Sequence, residues 1–85
     1  MYQKLENYFF NVQMCLVEKH RVPFDFAGTM VSDLSWYTDT GRASVEWCKR
    51  LLSTKPYLVA RRLAKGGSTN EIIKRVTDLI MKEVK

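Results

Sequence analysis

Apolar residues recur at three- and four-residue spacing along almost the whole chain, the period of helices that bury one face. The first such segment runs over about 2–20. At 100° per residue it places Tyr2, Leu5, Tyr8, Phe9, Val12, Cys15 and Leu16 on one stripe. Pro23 lies just beyond "EKHRV", where a helix should stop. A second helix is predicted over 25–37, with Ala27, Met30, Val31, Leu34 and Tyr37 on one side, although Gly28 weakens it. "DTGRASVEWCKRLLS" predicts a third, capped by Asp39 or Thr40, with Val45, Trp47, Cys48, Leu51 and Leu52 as its apolar face.

"STKPYLVARRLAKG" predicts a fourth helix. Ser53 or Thr54 is its expected cap, and Pro56 sits in the first turn, where its missing N–H costs nothing. The fifth pattern, over about 69–83, is the cleanest: Ile72, Ile73, Val76, Leu79, Ile80 and Val84 form one arc. No run alternates as a strand would, and no Asn-Gly or Asp-Gly hairpin turn occurs. The expectation is an all-α, compact single-domain bundle of about five short helices spanning 1–85.

The joint "RRLAKGGSTNE" invites comparison with a phosphate-cradling loop. Ser68 and Glu71 form an S-x-x-E capping box, and Gly66 suits the left-handed residue that ends a helix. A nucleotide loop needs its lysine after the glycines and a strand before them, whereas Lys65 precedes the glycines and a helical pattern precedes the loop. Glu71 would also repel phosphate. The stretch is therefore expected to be a helix–helix joint.

Composition adds a bias rather than a chemistry. The net charge is +5. Residues 1–45 hold four Lys/Arg against five Asp/Glu, and residues 46–85 hold ten against four. A basic half suits an acidic partner, be it nucleic acid, an anionic membrane surface or an acidic protein. No membrane-spanning run and no secretory leader pattern are present, and Cys15 and Cys48 fall in no CxxC spacing. Both are expected as reduced thiols on apolar faces, which points to the cytoplasm.

Candidate catalysis is thin. His20 stands alone at a helix end, where a cation favours the dipole. No His/Cys/Asp cluster has metal-ligand spacing, and the acids are scattered. Glu71 and Asp78 are expected to pair with Arg75 and Lys82 at i,i+4. No enzyme activity, catalytic residue, metal or cofactor is expected.

Two surfaces remain. On the first helix, Phe10, Met14 and Val17 form a second apolar stripe opposite the main one. Either other helices cover it, making the first helix central, or it meets a partner chain. Trp36, off the apolar arc of its helix, is a further candidate interface anchor. The other surface is basic: Lys49, Arg50, Lys55, Arg61, Arg62 and Lys65, within a helix-turn-helix-like segment over 42–65. It lacks a set of Asn, Gln and Arg residues that would spell base readout. The leading expectation is a small regulatory or adaptor protein that binds another protein or itself as an oligomer. Nucleic-acid binding is the alternative, and attachment to an anionic membrane the weakest.

Overall fold

The computed structural model describes residues 2–82 and contains five helices among them: α1 (Tyr2–His20), α2 (Phe24–Asp39), α3 (Val45–Leu52), α4 (Pro56–Leu63) and α5 (Thr69–Lys82). Val84 and the side chain of Tyr2, both assigned to apolar arcs by the sequence, lie outside the described residues. The rest of the arcs converge on one core, except Val45, which is 60% exposed. Leu16, Leu34, Leu51, Leu63, Ile80, Val12, Val59 and Val76 are its most enclosed side chains. α1 packs most extensively against α4 and α2 and also touches α3, while α5 closes the bundle against α4, α3 and α2. The bundle is all-α, as the periodicity requires.

The helix boundaries show how the chain turns. Just past the end of α1, Arg21 adopts a left-handed φ of 58°, and Val22 N–H reaches back to the Leu16 carbonyl at 3.1 Å. The reversal brings the start of α2 beside α1, where Gln13 Nε2 donates to the Phe24 carbonyl at 3.2 Å. Gly28 belongs to that close approach. A Cβ there would stand 3.1 Å from Gln13 Nε2, so the residue that weakens the helix locally permits its packing.

Asp39 and Thr40 do not cap α3. Asp39 still belongs to α2, and the Thr40 hydroxyl bonds back to the Trp36 carbonyl at 2.8 Å. Gly41, at φ 77°, turns the chain, and Ser44 caps α3 by accepting Trp47 N–H at 3.0 Å. Ser53 and Thr54 likewise end α3 rather than start α4, their hydroxyls donating to the carbonyls of Lys49 and Arg50. Lys55 occupies the start of α4 without a side-chain cap, and Pro56 stands in its first turn. Thr54 is buried, and its carbonyl accepts the hydroxyl of buried Tyr8 at 2.7 Å. That bond ties α1 to the α3–α4 joint.

The joint between α4 and α5 forms the expected box. Glu71 N–H donates to Ser68 Oγ at 3.2 Å, and Ser68 N–H donates to Glu71 Oε1 at 2.8 Å. Gly66 and Gly67 both have positive φ, 73° and 111°. Arg75 does not form the expected ion pair with Glu71. Its guanidinium donates instead to the carbonyls of Arg62 and Gly66, holding the end of α4. Across the core, Trp47 Nε1 donates to Thr77 Oγ1 at 2.9 Å, and its ring meets Tyr37 edge-on at 5.0 Å.

Candidate functional site

The second stripe of α1 divides. Phe10 is 55% exposed, whereas Met14 and Val17 are half-buried and Val17 packs against the core. α2 runs back along α1 past Phe10, with Gly28, Val31, Ser32 and Ser35 lining the same groove, yet more than half of Phe10 stays in water. Phe10 stands at an open groove of about 350 Å³ between α1 and α2. Phe9, Val31 and Gly28 line it together with the polar side chains of Glu6, Gln13, Ser32 and Ser35. A smaller hollow of about 150 Å³ shares Glu6, Phe9 and Ser35 with it, so the groove extends toward Thr38 and Asp39.

Trp36 is 45% exposed, and its ring carries the Arg42 guanidinium 5.1 Å from the centroid. A stacked cation at an exposed site is worth about 0.5–1 kcal/mol. Arg42 thus lies over the ring, and Trp36 also lines a hollow with Ser32, Asp33, Thr69 and Asn70. Trp36 and Phe10 line different hollows of α2, and the two hollows meet at Ser32.

The basic residues are also not one patch. Arg50 is held by Glu46 at 2.7 Å, the ion pair formed among the described residues. Arg62 is half-buried, and its carbonyl receives Arg75. α3 packs on α5 and α4 on α1, with at most marginal contact between α3 and α4. The two helices therefore do not pack as a helix-turn-helix pair, in which the reading helix seats on its predecessor. Lys49, Lys55, Arg61 and Lys65 stay exposed. Of these, Arg61 joins residues that the sequence did not connect with it. Arg61 and Tyr57 from α4 and Cys15, Lys19 and His20 from α1 line a cleft of about 530 Å³.

Burial raises the Tyr8 hydroxyl well above the usual tyrosine range and pushes the Cys48 thiol up, so both stay protonated as packing groups. Glu71 is lowered by its hydrogen bonds from Ser68, a consequence of the cap. Both cysteines are free thiols. Among the described residues, no three His, Cys, Asp or Glu side chains gather as metal ligands would, and no helix is long and apolar enough to cross a membrane. No known protein family, curated protein or solved structure matches this chain, so function rests on the chemistry of these surfaces.

Proposed function

We propose that the chain is a small non-enzymatic regulatory protein that acts by protein–protein contact, with the α1–α2 face as the contact surface and a second copy as partner. One observation carries this reading. On α1 and the start of α2, Phe10, Phe24 and Phe26 all stand more than half in water, and Phe10 borders a groove lined by Phe9 and Val31 together with Glu6, Gln13, Ser32 and Ser35. Knob and groove lie on the same face, so a two-fold arrangement can seat each Phe10 in the other copy's groove. Phe in such a pocket is the kind of anchor that dominates contact energy. The test is sedimentation of the parent and a Phe10→Ser variant over a range of concentrations. A mass that rises with concentration in the parent and stays monomeric in the variant supports the reading. A parent that stays monomeric throughout transfers the face to a different protein.

Nucleic-acid binding is the second reading, favoured by Arg61 and Lys65 standing exposed at an acid-free helix. Such binding would be electrostatic and weakly specific. Affinity for a duplex at low salt should fall steeply as salt rises, and Arg61→Ala with Lys65→Ala should flatten the slope by about two phosphate contacts. Absence of binding at low salt removes this reading.

A further inference from the structure

We infer that the cleft between the end of α1 and the outer side of α4 binds an amphipathic organic anion, a single carboxylate or phosphate head on an apolar body. The site does not depend on the α1–α2 face. Lys19, His20, Arg61 and Tyr57 bring an ammonium, an imidazole, a guanidinium and a phenol to one hollow, and no carboxylate lines it. Lys19 and His20 alone are explained by the dipole at the end of α1. That account does not reach Arg61 and Tyr57, which come from another helix more than thirty-five residues along the chain. Lys19 and Arg61 place two like charges on the lining of one cleft, and a bound anion would offset their repulsion through charge-assisted hydrogen bonds.

The size and walls of the cleft define the rest of the ligand. About 530 Å³ lies within the range of small-molecule sites and exceeds what a bare phosphate fills. Tyr57 is 47% exposed, and half-buried Cys15 lines the cleft with Lys19 and Arg61. The cleft surface is mostly carbon, which suits a ligand with one charged head on a hydrocarbon or ring body. A polyanion would need cations in file along the surface. Here Lys49, Lys55 and Lys65 all lie outside the cleft. Glu18, three residues from Cys15 on α1, is exposed and does not line it.

The test titrates ¹⁵N-labelled protein with octyl phosphate below its micelle concentration, beside inorganic phosphate, octanol and a short single-stranded oligonucleotide. Octyl phosphate should shift the amides around Cys15, Lys19, His20, Tyr57 and Arg61 saturably. It should bind at least about tenfold more tightly than inorganic phosphate or octanol, since head and tail each add contacts. Lys19→Ala with Arg61→Ala should weaken it by about tenfold or more, through loss of the charged hydrogen bonds. Lys65→Ala should leave it unchanged. Both replaced side chains are exposed, and the parent's shift map locates the site without any variant. Absence of saturation, shifts centred elsewhere, or undiminished affinity in the double variant overturns the inference. So does an oligonucleotide that shifts the same amides at lower concentration than octyl phosphate.

Discussion

Tyr8→Phe isolates one buried hydrogen bond on which the placement of α1 depends. The Tyr8 hydroxyl donates to the Thr54 carbonyl at 2.7 Å across forty-six positions of sequence, and both residues are buried. Removing the hydroxyl keeps the ring, its burial and its edge contact with Phe9, so the apolar contribution cancels. What remains is loss of the bond and a carbonyl stranded away from water. Thr54 N–H and Oγ1 are already engaged by the carbonyls of Leu51 and Arg50, and neither can serve its own carbonyl. A buried acceptor left without a donor costs about 1–3 kcal/mol, so about 2 kcal/mol is expected. For a domain of this size that lowers the melting temperature by roughly 10 °C. Thermal unfolding followed by circular dichroism measures it, with Tyr57→Phe as the control. Tyr57 is half in water, and its change should stay within about 0.5 kcal/mol. If the two variants melt alike, the Tyr8–Thr54 tie does not hold α1 in place.

The α4–α5 joint yields three further expectations. Ser68→Ala removes the acceptor for Glu71 N–H and should cost about 1 kcal/mol in a denaturant titration. Gly67→Ala places a methyl at φ 111° and 2.8 Å from Glu71 Oε1. It should destabilise by about 1–3 kcal/mol by the same titration, whereas a neutral result would show that the joint is not held as described. Glu71 titrates below its ordinary value of 4.5 because Ser68 bonds its charged form. Its contribution is therefore complete above that value and is lost as pH falls through the lower folded-state value. Melting temperatures taken across this window should drop more steeply for the parent than for Glu71→Gln.

The fold was legible because a 3.6-residue period is a local property. Each arc from Leu5 to Ile80 needed only its own helix, and "S-x-x-E" identified the α5 cap because donor and acceptor lie three residues apart. The α3 cap was misplaced because Asp39, Thr40 and Ser44 are all competent caps. Gly41, which turns the chain between them, was the available signal. Spacing alone also misjudged the ion pairs. Glu46–Arg50 forms, while Glu71 and Arg75, equally spaced, each find a backbone partner at the joint. The surfaces were less legible because they depend on tertiary placement. Val17 packs against the core, and Phe10, on the same stripe, stands in water. Val45, expected in the core, is 60% exposed at the first position of a two-turn helix. The α1–α4 cleft joins residues 15–20 to residues 57–61, and no periodicity within either segment connects them.

The central claim is that Phe10 is a contact residue and not a misplaced core residue. Filtered nuclear Overhauser spectroscopy on an equimolar mixture of ¹³C-labelled and unlabelled protein tests it most directly. The proposed two-fold contact requires cross-peaks between the Phe10 ring of one copy and Val31, Ser32 or Ser35 of the other. Cross-peaks from Phe10 confined to its own chain, in a sample that sediments as a dimer, would place the interface elsewhere and contradict the account.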